Sequence, residues 1–209
     1  MTNNQKTLNK SLEFEGVGLH TGDKVRMTID PAKTNHGIKF QRLDLPGKPL
    51  IPADIDFVSD TKRSTTLEKD NVKVVTVEHL MSALYALGVN NALVKLNSSE
   101  IPILDGSSKY YVEGIQKVGL KTQNAPLKYV NLPNPIQYKD PETGSEILFI
   151  PADNFIISVV LDYDNPALGT MYAEIRDLED YPTEIAICKT FVFLTELEKL
   201  AKANLIKGG

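Results

Sequence analysis

Two hydrophobic periods share this chain, and together they restrict it to folds that mix strands with helices. In KVRMTID, Val25, Met27 and Ile29 alternate with polar and charged residues, the period of a half-buried strand. Further on, Leu80, Ala83, Leu84 and Leu87 recur at i, i+3, i+4 and i+7, one apolar stripe on a helix. Thr76 is placed to cap that helix and Gly88 to end it as the residue after the C-cap. HGIKFQRL and NALVKLN read as strands on either side of it. IPILDGSS then turns the chain, and Ser107 or Ser108 caps a second helix with Tyr111, Ile115 and Val118 on one face. Residues 1–123 therefore read as a complete α+β domain.

Asn124-Ala125-Pro126 reads as a short linker into a second domain, 127–209. Strand signals resume in PIQY, EILFI, FIISVVLDY, MYAEI and EIAICKTF, with a turn at Asp140-Pro141-Glu142-Thr143-Gly144. TELEKLAKANLIKGG reads as a closing helix, capped by Thr195, with Leu197, Leu200 and Ala201 as its stripe. MTIDPAKTNHGIKF and LFIPADNFIISVVL share the order strand, Pro-Ala, strand. Either the second domain repeats the first and is left unfinished near its first helix, or Pro-Ala is simply a common connector.

The 209 residues are 42% hydrophobic and 24% charged, enough to bury a core. A net charge of −4 without a basic stripe gives no footprint for a nucleic-acid partner. The lone Cys188 excludes an internal disulfide and suits a reducing compartment. MTNNQKTLNKSLEF lacks an apolar signal core, and Pro151 and Asp153 interrupt the most apolar stretch. A cytoplasmic protein without a transmembrane segment is expected.

Glu78-His79 is the sharpest chemical pair. In the first turn of a helix an imidazole is biased toward its neutral, metal-binding form, and a neighbouring carboxylate can serve as general base. The same dipeptide also reads as a solvated helix start. His20 lies in GVGLHTG, whose glycines let the backbone approach a ligand closely; a tight hairpin with an exposed histidine is the other reading. His36 has only a turn reading. Asp105 reads as a brace for its own loop. Thr190, at the end of an expected strand, could donate its hydroxyl to a developing oxyanion or could be an ordinary β-branched strand residue. Three histidines and one cysteine do not make a zinc site by spacing.

In combination and in this order, GVGLHTG, TVEHLMSALYALGVNNA and EIPILDGSS resemble the UDP-3-O-acyl-N-acetylglucosamine deacetylases, zinc-dependent hydrolases of lipid A and lipopolysaccharide synthesis in Gram-negative bacteria. The resemblance runs from QKTL to KTFVF. It implies two α+β domains of similar topology, sheets packed against helices, with the second domain incomplete here and cut inside its insert. It implies hydrolysis of the 2-acetamido group of UDP-3-O-acyl-N-acetylglucosamine with release of acetate. Carried across by residue, His79 matches a Zn²⁺ ligand, Glu78 the general base, and Thr190 the threonine that stabilises the oxyanion. His20 matches a histidine near the active site, and Phe191 a phenylalanine lining the substrate site.

The family's other two zinc ligands belong to a His-Lys-x-x-Asp block and its second catalytic histidine to a Gly-His segment; neither occurs in this sequence. Lys189 stands where many members have arginine, and Ser64 where some have cysteine. The chain alone is therefore expected to be inactive, to bind zinc weakly, and to self-associate through an uncovered second-domain sheet. Its parent is of the kind that in some bacteria is fused to a hydroxyacyl-carrier-protein dehydratase. A non-catalytic sugar-nucleotide or acyl-chain binding module, or a purely structural protein, are the competing readings.

Overall fold

The structure, a computed structural model, describes residues 4–163, 165–202 and 207. It mixes helices and sheets, as the two periods require, and divides into two compact units. One comprises the described residues up to Pro126 together with those from Pro182 onward; the other is Leu127–Tyr181. The segment after Pro182, expected in the second domain, thus groups with the first unit.

In the first unit the strands are β1 (Asn4–Leu8), β2 (Leu12–Val17), β3 (Lys24–Pro31), β4 (Ile38–Arg42), β5 (Leu50–Pro52), β6 (Val58–Asp60), β7 (Thr66–Lys69) and β8 (Val72–Val74). Helix α1 (Glu78–Ala86), β9 (Ala92–Leu96), α2 (Lys109–Val118) and β10 (Leu120–Pro126) follow. The main sheet has the order β2-β3-β9-β4-β5, antiparallel except where β4 runs parallel to β9. β1 pairs with β10, and β6, β7 and β8 form a small antiparallel sheet.

Alternation does what the sequence says it should. Val25, Met27 and Ile29 of β3, and Ala92, Val94 and Leu96 of β9, point into the core. Leu80, Ala83 and Leu84 of α1 and Tyr111, Val112 and Ile115 of α2 complete it. Tyr111 meets Phe14 edge to face, centroids 5.1 Å apart, and its hydroxyl donates to the Pro102 carbonyl. Gly88 ends α1 in the left-handed region at φ 73°, the Gly88 amide bonding Tyr85 O and the Val89 amide bonding Leu84 O. That is the paired closure of a Schellman end, sealed by the buried Val89 and Leu84.

Two expectations fail at the level of local structure, and a third holds in part. Thr76 does not cap α1: Val77 holds the N-cap position without a side-chain bond, and Thr76 lies before it at φ 63°. Its hydroxyl is drawn instead to the buried Glu100 carboxylate, 2.9 Å away. Asn124-Ala125-Pro126 is not a linker but the end of β10, where Pro126 faces Asn4 and its carbonyl accepts from Gln5 Nε2 at 3.0 Å. Of the two serines proposed as caps for α2, Ser108 occupies the N-cap without a capping bond, while Ser107 Oγ accepts from the Lys109 amide at 3.2 Å.

In the second unit β11 (Ile136–Lys139) pairs with β12 (Glu146–Phe149), and β13 (Ile157–Asp162) with β14 (Thr170–Ile175), both antiparallel. The β11–β12 turn is built on Asp140, whose carboxylate accepts from the amides of Glu142 and Thr143. Strand, Pro-Ala, strand recurs in fact: β3 leads through Pro31-Ala32 toward β4, and β12 through Pro151-Ala152 toward β13. Ile136, Tyr138, Ile147, Leu148, Phe149, Val160 and Tyr172 are exposed on the two hairpins.

EIAICKTF forms no strand. Helix α3 (Tyr181–Glu184) covers its start, and a turn from Ile185 O to the Cys188 amide follows. The backbone beyond spends its hydrogen bonds on another loop rather than on a sheet ladder. Helix α4 (Leu194–Lys202) begins one residue before Thr195, which therefore lies inside the helix. The side chains of Thr195, Leu200 and Ala201, and residues 203–206 and 208–209, lie outside the described residues.

Candidate active site

All five candidate residues fall in the first unit. Glu78 and His79 open α1, half-buried. Their backbone is fixed from outside the helix, because no side chain caps it. The Val77 amide donates to Thr65 O, and the Thr65 amide returns a 2.9 Å bond to Glu78 Oε2, which orients the carboxylate. Ser64, the departure from cysteine, is the residue just before that donor. The His79 carbonyl accepts from two hydroxyls, Ser82 Oγ and Ser108 Oγ, each at 2.9 Å.

Ser108 closes the loop 101–108, which is the hub of the site. The Ile103 amide bonds Val17 O, tying the loop to β2 beside the His20 turn. The Ser108 amide bonds Ala186 O at 3.0 Å, and the Thr190 amide bonds Gly106 O at 2.8 Å. Lys189 Nζ lies 3.4 Å from Asp105 Oδ2. Asp105 is the internal brace expected, accepting from the Ser107 amide and, at 2.7 Å, its hydroxyl. The Ser107 hydroxyl bond in particular holds the Asp105 carboxyl below its ordinary pKa, with the Ser107 amide and Lys189 assisting. One loop thus carries both the His79 end of α1 and the Thr190 segment. Thr190 is exposed, and Phe191 beside it is exposed and packs edge to face with Phe193 at 5.6 Å.

His20 is half-buried in the turn between β2 and β3. Its amide donates to both oxygens of Glu100, at 3.0 and 3.2 Å. The Thr21 amide and hydroxyl bond Glu100 Oε2 at 2.9 and 2.8 Å. His36 stays a turn residue, its ring bonded to Gly37 O.

Sequence reading missed Glu100, Ser108 and Thr65 as parts of this frame. The residue types gave little warning: a glutamate after two serines reads as surface, and only its place at the head of EIPILDGSS hinted otherwise. Gly18 was the better signal. A Cβ there would sit 2.4 Å from Glu100 Oε2, so this glycine is required by a close approach.

Whether these residues could hold a metal can be judged from the donor set. Among the described residues no three of His, Cys, Asp and Glu are grouped for one. His79, on a first helical turn with its backbone fixed, fits one ligand position; a catalytic zinc usually takes three protein ligands.

The fold and site define a mixed α+β protein whose motif loops gather around a helix N-terminus bearing a carboxylate and an imidazole. The chain belongs to the UDP-3-O-acyl N-acetylglycosamine deacetylase (LpxC) family, whose sequence model matches residues 5–209. It is 46% identical over 205 residues to the bifunctional enzyme LpxC/FabZ of Bacteroides thetaiotaomicron, covering 98% of this chain and 44% of that protein. The UDP-3-O-acyl-N-acetylglucosamine deacetylase of Teredinibacter turnerae is 41% identical over 208 residues, 98% of this chain and 68% of that protein. That of Legionella pneumophila (strain Corby) is 39% identical over the same span. The chain therefore spans less than half the length of the bifunctional relatives it matches.

Proposed function

We propose that the complete protein hydrolyses the 2-acetamido group of UDP-3-O-acyl-N-acetylglucosamine, releasing acetate in lipid A biosynthesis. The observation that carries this reading is the convergence on one loop: Ser108 holds the His79 carbonyl and Gly106 holds the Thr190 amide. A general base, a metal-ligating imidazole and a hydroxyl donor are the parts an amide hydrolysis needs.

His79 would be this chain's ligand to Zn²⁺, which when bound supplies Lewis-acid polarisation and a more acidic water. Glu78, oriented by the Thr65 amide, takes the proton of the attacking water as its oxygen bonds to the amide carbon. Thr190 donates to the oxygen that gains charge. The C–N bond then breaks, and protonation of the leaving amine falls to the family's later catalytic histidine, which is not among these residues. Phe191 offers an exposed aromatic face beside Thr190 for the substrate, and His20, linked through Glu100 to Thr76 two residues before Glu78, is proposed to border the same site.

The higher identity to bifunctional relatives supports a whole protein fused to a hydroxyacyl-carrier-protein dehydratase. Its proposed compartment is the cytoplasm, which suits the exposed, free Cys188. No helix among the described residues is long and apolar enough to cross a membrane. Two domains of similar topology remain the proposed arrangement of the complete family domain. This chain alone is proposed to be inactive, and to pair with a second copy through the exposed hairpin residues of β11–β14.

Two substitutions in the complete protein test the assignment. Glu78→Gln should lower kcat by ~10²-fold or more while metal content persists. His79→Ala should lower metal content itself. Atomic absorption beside acetate release separates them. Full zinc occupancy and affinity in His79→Ala, or near-normal kcat in Glu78→Gln, would remove that residue from its role.

A further inference from the structure

We propose that Glu100 is a positioning residue that sets His20 relative to the Glu78-His79 turn; the inference rests on the deacetylase reading above. Glu100 is fully buried. Its carboxylate is met by four donors: the His20 and Thr21 amides, the Thr21 hydroxyl and the Thr76 hydroxyl. Among the described residues none of its partners is a lysine or arginine. Burying a carboxylate is costly unless hydrogen bonds replace its water. Here the replacement comes from two separate segments, so the carboxylate is satisfied only when both are in place.

Those segments matter. One oxygen, Oε2, belongs to the turn 18–21; the other, Oε1, is shared between the His20 amide and Thr76. Thr76 lies two residues before Glu78, in the left-handed conformation that leads into α1. The backbone around Glu100 adds rigidity: Val75 bridges Glu100, with its amide on Ser99 O and its carbonyl accepting from the Ile101 amide. A single carboxylate therefore clamps the turn bearing His20 to the entry of α1. The three motifs of the sequence meet at it: Gly18 to Thr21, Thr76, and the first residue of EIPILDGSS.

Glu100→Gln preserves size but places an amide NH₂ where an acceptor is needed, so at least one of these donors loses its partner. In the complete, active protein kcat should fall ~10- to 100-fold, with KM within ~3-fold and zinc content unchanged. Amide hydrogen exchange at His20 and Thr21 should quicken ~10-fold or more while β3 and β9 keep their protection. In a His20→Ala background Glu100→Gln should cost kcat no more than ~3-fold, because the turn then has nothing left to position. Gly18→Ala, which forces Oε2 aside without altering Glu100, should reproduce the pattern. A kcat for Glu100→Gln within ~2-fold of wild type overturns the proposal. So does exchange that rises equally across the first unit, or a full-sized cost in the His20→Ala background. If the wild-type protein releases no acetate, the deacetylase reading itself fails, and the exchange data still report whether the clamp exists.

Discussion

Thr190 is placed by its backbone. The amide is fixed to Gly106 while the residue itself stays exposed, an arrangement suited to presenting a hydroxyl without committing it to the fold. Thr190→Val keeps the β-branched shape and the amide bond. In the complete protein it should lower kcat by ~10²–10³-fold and change KM less, since the charge it answers develops only in the transition state. Steady-state kinetics decide; lost binding with intact turnover would make Thr190 a substrate-positioning group instead. Glu78, His79 and Thr190 were legible as candidates from residue type and motif, but what holds them was not. Thr76 shows why. A threonine before a helix is read as a cap by local rules, yet a buried carboxylate 24 positions along the chain competes for the same hydroxyl and wins.

At the scale of elements, periodicity delivered β3, β4, β9, α1 and α2, where one face is buried and the pattern is clean. It failed for β10, whose LKTQNAP is polar and ends in proline. That strand is held by long-range partners instead, and Asn91 is the centre of them. Its Oδ1 accepts from the Gly37 amide at 2.8 Å, and its Nδ2 donates to Gln5 Oε1 at 2.9 Å and to Gln123 Oε1 at 2.8 Å. The buried Asn91 side chain so ties the β1–β10 pair to the approach to β4. Asn91→Ala removes three hydrogen bonds at once, leaving the Gly37 amide and Gln123 Oε1 without this partner, and should cost about 2–4 kcal/mol in denaturant unfolding. A loss below about 0.5 kcal/mol would mean that water or repacking replaces it. EIAICKTF failed for the opposite reason: its apolar residues suit a strand, but its backbone is claimed by the loop 101–108.

At the scale of the whole molecule, the second unit has the strand signals without the burial that usually accompanies them. β11–β14 form where strands were expected and pair as two hairpins, yet Ile147, Leu148, Phe149 and Val160 remain exposed. A sheet normally buries its apolar face against another layer. The 209-residue chain on its own should therefore elute as a dimer or larger species, bind zinc weakly and release no acetate. Size-exclusion chromatography with zinc titration and an acetate assay measures all three. A monodisperse, active monomer with one tightly held zinc would sink that reading.

The Glu100 clamp also has a temporal side. Its bond to His20 closes a separation of 80 residues, and that to Thr76 one of 24. Contacts so far apart along the chain carry the entropy of closing a long loop and form slowly compared with a helix or a hairpin. The clamp should therefore close later than the local elements it joins, the β2–β3 hairpin and α1, so a chain arrested midway through folding should possess those elements before it possesses its site.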